Sequence, residues 1–246
     1  MVGYERLRIY FLSRRQTHLP NRPFNPGTTY RDILRLYECD MLLRDACFAA
    51  AGQFEILLRN AISEVLSSAH GSHPYTNIAA FRGARAHTEA QQSFRDIYRK
   101  TADARAIHYR QTYSSPPLPP IWTMKEFLTF GSSVYIFKRL SGSHRTSVAN
   151  QFGVQSDQVF TRWLECLVDL RNICAHHDRL FNRHFPKQPV HLRSANVPTA
   201  PPNKLKAILE CLDHLLTQRG SPINITGKVG AIIQRYPEMQ PAEAGY

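Results

Sequence analysis

A chain of 246 residues, 43% hydrophobic and 11% aromatic, has enough apolar material for a packed core and falls outside the disordered class. Its formal net charge of +12, from 31 Lys and Arg against 19 Asp and Glu, favours a polyanionic partner through counterion release, although an arginine-rich composition alone accounts for the same charge. No apolar run approaches the roughly 20 residues of a membrane span, no signal-peptide core accompanies the N-terminal arginines, and the five cysteines show no Cys-x-x-Cys spacing, which reads as reduced, buried thiols in a cytoplasmic protein with no membrane partner.

Residues 1–15 read as a short helix, and Pro20, Pro23, Pro26 and Gly27 make the next stretch irregular. From Tyr30 the period becomes helical: Leu34, Tyr37, Met41, Asp45 and Phe48 share one spacing, widened by Ile33, Leu36, Leu42 and Leu43. Gly52 bends or ends that helix, and the pattern resumes from Phe54 to Leu66, stopping near Gly71 and Pro74. Residues 71–92 are loop-like, and a polar helix covers about 88–111. After the prolines of residues 114–120, Ile121 to Leu140 reads as one helix ended by Gly142, then a short helix runs from Ser143 to Phe152. Ser156 is the expected N-cap of a helix carrying Phe160, Trp163, Leu164, Leu167 and Leu170 and running to about His176. A proline-rich loop over 184–203 precedes a strong helix from Asn203, the expected cap, and a last short helix around Val229, Ile232 and Ile233. No strand alternation persists, so the chain is an all-α bundle with long loop insertions. It reads as a single domain over 1–246, with its core at about 28–183 and a C-terminal helical extension at about 203–236.

One helix breaks its own pattern. Its buried stripe runs Phe160, Leu164, Leu167 and then Arg171, placing a guanidinium where a leucine belongs. A buried arginine must be paired or face a cavity, and Glu55 and Glu38 are the candidate partners. Asn172, His176, His177 and Asp178 follow, a polar cluster at the end of an apolar helix. Five residues separate Arg171 from His176, which sets them about 140° apart on a straight helix. They share one spot only if the helix distorts or a second copy presents the same pair across a two-fold axis. A histidine can serve a ribose 2′-hydroxyl as general base and a leaving 5′-oxygen as general acid. An arginine can clamp the phosphate and neutralise the charge that develops on it.

Arg171-Asn172-Ile173-Cys174-Ala175-His176 resembles the Arg-x4–6-His motif of HEPN ribonucleases, including an Asn after the Arg. The longer string LRNICAHHDRLFNR, from Leu170 to Arg183, is similar to the signature of the Abi family of phage-defence proteins. Thr29 to Arg59 resembles the long first helical region of that family, Leu118 to Leu140 its Pro, Trp and Phe-Gly segment, and Tyr4 to Arg15 the end of its N-terminal region, shorter than usual. The resemblance implies a HEPN-like bundle, a homodimer with a composite site, metal-independent RNA cleavage without cofactor, abortive infection on phage attack, and restraint by a small-RNA antitoxin. Carried over by position, Arg171, Asn172 and His176 are the catalytic candidates, with His177, Asp178 and Glu55 as secondary ones. Arg179, Arg183, Arg14 and Arg15 are candidates to track an RNA backbone, although each such arginine is more often simply solvated. His177, His184 and Cys174 match no metal-ligand spacing. Tyr4, Tyr10, Trp122 and Trp163 read as core. The alternative function is a non-catalytic HEPN scaffold that binds RNA or a protein; DNA binding ranks last, since no helix-turn-helix pattern is present.

Overall fold

The spine of the molecule is one helix that does not stop at its glycine. In the computed structural model, which describes residues 3–246, α1 spans Tyr4–Ser13 and α2 spans Tyr30–His70. At 41 residues α2 is roughly 60 Å long. Thr29 and Asp32 form a capping box at its start, each side chain bonded to the other's backbone N–H, and Gly71 ends it at φ 73°. Helical glycine costs about 1 kcal/mol against alanine. Gly52 carries that cost without a break because Ala51 and Phe54 beside it are fully buried and hold the backbone on line.

The buried face of α2 is Ile33, Leu36, Cys39, Leu43, Cys47, Ala50, Phe54 and Leu58. The stripe expected from Leu34 through Tyr37, Met41, Asp45 and Phe48 faces outward, with Met41, Asp45 and Phe48 exposed. Leucines on both sides of a long helix made two faces equally plausible, and tertiary packing chose the other.

Next come α3 (Ala84–Lys100) and α4 (Ala104–Thr112), where one helix was expected. Asp103 accepts from the Arg105 N–H at 2.8 Å and starts α4, while Arg110 returns to donate to the carbonyls of Tyr98 and Thr101, so the chain turns between them. Ile121 to Leu140 is likewise not one helix. It divides into α5 (Ile121–Met124), a 3-10 turn at Lys125–Phe127 and α6 (Phe130–Phe137), because Thr129 and Ser132 build a second capping box. Then follow α7 (Gly142–Asn150), α8 (Asp157–Ala175), α9 (Leu205–Gln218) and α10 (Ile225–Gln234). Gly142 opens α7 rather than closing the helix before it. Lys204 holds the cap position of α9, without the side-chain bond expected from Asn203.

Ser156 caps α8 as expected, accepting from the Val159 N–H. Rings of Phe54, Phe152, Phe160 and Phe137 follow one another at centroid separations of 5.3 to 5.4 Å, edge-on except for the stacked middle pair, joining α2, the turn after α7, α8 and α6. Each such ring pair adds about 0.5–1.5 kcal/mol beyond its buried area. The rest of α8 runs antiparallel to α2: Cys174 meets Cys47, and the chain just past α8 meets Asp40. All five cysteines are buried and free. Helices α9 and α10 pack onto α2 and join the same core. Trp163 is fully buried, its indole N–H donating to the Val190 carbonyl, whereas Tyr4 and Trp122 are exposed and lie outside the core. The described residues are all-helical, with only three isolated β-bridges, and none of their helices is long and apolar enough to cross a membrane.

Candidate active site at the end of the eighth helix

The polar cluster expected from sequence sits on a sharply turned helix end. His176 is the cap residue, and His177 takes the left-handed conformation at φ 55°. The His177 N–H bonds the Cys174 carbonyl at 3.1 Å, and the Asp178 N–H bonds the Ile173 carbonyl at 2.9 Å. These two bonds make a Schellman motif, with histidine in the place that glycine usually takes. The motif stops α8 and turns Asp178 to Arg183 back toward α2.

Asp40 catches the returning chain. It is fully buried, and its Oδ1 accepts from the backbone N–H groups of Leu180 at 3.1 Å and Phe181 at 2.8 Å. Its Oδ2 accepts from the Tyr10 hydroxyl at 2.6 Å and from Arg44 Nη1. Burial pushes the Asp40 carboxyl above its ordinary value; Arg44 and the three other donors pull it back, and with every partner donating it accepts as a carboxylate. Burial also works against the Arg44 cation, but Asp40, Tyr10 and Tyr37 together outweigh it and hold its pKa above the ordinary value. Tyr10 is held protonated by burial and by that same charge. A single carboxylate thus ties α1, α2 and the segment after α8 together.

Arg171 is half-buried rather than sealed. Its side chain is 29% exposed, its Nε stands 3.7 Å from Glu55 Oε2, and its guanidinium lies 5.8 Å from the Phe48 ring centroid. Glu55 is also paired with Arg59, one turn on, so one carboxylate is shared by two arginines. Glu38, the other expected partner, is exposed. Arg171 Nη1 donates to Asn172 Oδ1 at 3.3 Å. Asn172, His176, His177 and Asp178 are all exposed. Helical geometry holds to the cap, so Arg171 and His176 diverge by about 140° within one chain.

Beside this helix end lies a groove of about 380 Å³ between α1 and the returning segment. His177, Asp178, Arg179 and Arg183 form one wall, and Arg6, Tyr10, Tyr37 and Arg44 belong to the other. Arg179 Nη1 donates to the carbonyls of Phe181 and Asn182, and Arg183 Nη1 to the carbonyl of Arg179. The other two candidate arginines stand elsewhere. Arg14 makes a two-point ion pair with Glu243 at 2.5 and 2.8 Å, and Arg15 lies over the Phe24 ring of its own loop. Among the described residues no three His, Cys, Asp or Glu side chains converge as metal ligands, and Cys174 is buried while His177 and His184 face solvent.

The family model of Abi-like proteins matches residues 1–182. The chain belongs to the Abi-like protein family. That membership connects it with abortive infection, a form of phage defence. No curated protein and no solved structure matches the chain. In this Abi-like protein the matched span runs from α1 through the Schellman turn to Asn182, and α9 and α10 lie beyond it. Tyr10, Asp40, Arg44 and Arg6 were not legible as site residues. The available signal was a charged pair, Asp40 and Arg44, one turn apart between the apolar positions Leu36, Leu43 and Cys47, which on a buried face demands a structural or binding role.

Proposed function

We propose that this Abi-like protein is a metal-independent endoribonuclease of the HEPN type, acting in abortive infection on an RNA substrate. The observation that carries the reading is Arg171, a guanidinium set into the face of α8, held loosely by a carboxylate it shares and left open to solvent beside Asn172 and five residues before His176. In this reading His176 takes the proton of a ribose 2′-hydroxyl, and the freed oxygen attacks the adjacent phosphorus. The bond to the 5′-oxygen breaks, a second imidazole returns a proton to that oxygen, and a 2′,3′-cyclic phosphate remains. Arg171 neutralises the charge that builds on the phosphate oxygens, with Asn172 orienting it. The nucleophile belongs to the substrate and is already close to phosphorus, so positioning supplies much of the rate.

Two imidazoles and the divergence of Arg171 from His176 call for a second copy of the chain. An exposed stripe on α2 supports that reading. Met41, Phe48 and Ile56 project outward around the small residues Ala49 and Gly52, and Phe48 touches the Arg171 guanidinium. A homodimer packed on this stripe brings two copies of the motif to one seam. A small-RNA antitoxin would bind through the groove arginines Arg6, Arg179 and Arg183.

The test is purified protein with single-stranded RNA in the presence of a chelator. Cleavage that leaves a 2′,3′-cyclic phosphate and vanishes in folded His176→Ala supports the enzyme. RNA binding without cleavage in any buffer replaces it with the non-catalytic scaffold.

A further inference from the structure

The geometry points to a phosphate-binding subsite in the groove between α1 and the Asp178–Arg183 segment, with Arg6, Arg44, Arg179 and Arg183 as its cations. It takes the phosphate of a nucleotide, and it deepens the ribonuclease reading by placing an RNA phosphate outside the bond that is cut. Among the described residues Arg6, Arg179 and Arg183 have no carboxylate partner. Arg44 is 3% exposed, gives one nitrogen to Asp40, and leaves its Nε without any hydrogen-bond partner. Arg44 lines the groove beside the three unpaired arginines, so its buried charge adds to theirs at the same wall.

Charge decides the sign of the ligand. The four arginines outnumber the nearby carboxylates of Glu5, Asp178 and Asp40, and Glu5 is shared with Arg8. The C-terminal end of α8 opposes an anion with a dipole worth about half a charge, but that effect fades within a turn, and the carbonyls of Ile173 and Cys174 are already occupied by the N–H groups of Asp178 and His177. Size decides the class. About 380 Å³ holds one nucleotide and no larger folded partner, and half-buried Tyr37 offers a ring for a base. Position gives the role: this wall is the direct continuation of the chain past His176, so a strand gripped here is already anchored beside the proposed reacting end.

The experiment uses the full chain with His176→Ala, so that RNA persists, and follows binding of a fluorescein-labelled single-stranded RNA by anisotropy in chelator. Arg6→Glu and Arg183→Glu are compared with Arg85→Glu, a reversal of equal charge at a side chain 93% exposed on α3. Thermal melts confirm that each is folded. The expected result is an affinity loss of about tenfold or more for the two groove reversals, with a salt slope shallower by about 0.7 for each phosphate no longer neutralised. Arg85→Glu stays near the parent. Adenosine monophosphate and inorganic phosphate serve as competitors: displacement by the nucleotide at micromolar levels assigns the subsite to a free nucleotide, and its failure to compete assigns it to a strand phosphate. Equal losses in all three variants, or none in the groove variants, overturn the subsite. If the His176 parent protein cuts RNA while groove variants bind it undiminished, the subsite falls and the nuclease stands. If groove variants lose RNA that the parent protein binds but never cuts, the nuclease falls and the subsite stands.

Discussion

Asp40 holds the backbone N–H of Phe181 at 2.8 Å, across 141 residues of chain, and in doing so sets the position of everything that follows α8. The same carboxylate bears the Arg44 charge in a buried pair. Removing one member of such a pair leaves the other charge uncompensated, at about 3–5 kcal/mol. Asp40→Asn is therefore expected to lose about that much in denaturant unfolding. Tyr10→Phe removes one neutral donor and should lose only about 1–2 kcal/mol. A loss for Asp40→Asn no larger than that of Tyr10→Phe would show that the pair does not organise this end of the fold.

His177 occupies the left-handed position of the Schellman turn without being glycine. For an L-residue with a Cβ that conformation costs roughly 1 kcal/mol or more. Its side chain lines the groove wall, where it can act on a ligand, so strain at this point has a functional reading. His177→Gly should raise stability by about 1 kcal/mol while weakening RNA binding or cleavage. A variant that is stabilised and keeps full activity would leave His177 as a turn residue only.

How far this was legible in sequence depends on the kind of signal. Helix ends marked by a local side chain, such as Ser156 before α8, could be read from a few residues. The all-α class followed from periodicity, and Arg171 stood out because it interrupts an apolar stripe. What failed was choice between equals. Leu34 and Ile33 offered α2 two faces, and only packing against α8 selects one. Thr129 and Ser132 form a cap inside a run so apolar that the break was hidden. The Asp40 knot joins residues 30 and 141 positions apart, a relationship that no local pattern contains.

Acid should weaken the core through a histidine outside the proposed site. His214 on α9 packs edge-on to Trp163 at 5.7 Å, and burial lowers its pKa below the ordinary 6.5. The folded state thus favours the neutral ring. Its contribution is fully present above about pH 6.5 and is lost as pH falls through the lowered folded value. His144, lowered by burial and by neighbouring His70, adds a slope of the same sign. The melting temperature should fall between pH 7 and pH 5, and His214→Gln should flatten part of that fall. An unchanged slope in a folded His214→Gln would remove this residue from the account.

The outward stripe of α2 gives the two-copy reading a direct check. Phe48 and Ile56 are 44% and 56% exposed, so replacing them costs the single chain little. Phe48→Glu with Ile56→Glu should reduce the solution mass from about twice 28.2 kDa to that of one chain, with the melting temperature nearly unchanged, and should abolish cleavage. A parent protein that cuts RNA while its measured mass is that of one chain would sink the composite site.

Glu55 separates positioning from simple stability. It lies between Arg59 and Arg171, and its side chain is only 9% exposed. Glu55→Gln keeps the shape and removes the charge, so Arg171 loses the partner that aims it while the local positive charge rises. RNA affinity should hold or increase, since the phosphate backbone gains a less neutralised cation. Cleavage should fall by about 10- to 100-fold, because misplacement of a clamping group by about an ångström costs that order of rate. The loss should appear in kcat rather than KM, and Glu55→Asp should restore part of it. A Glu55→Gln protein that melts earlier but cleaves at the parent rate would make Glu55 a structural ion-pair residue, and Arg171 would then need no aim from α2.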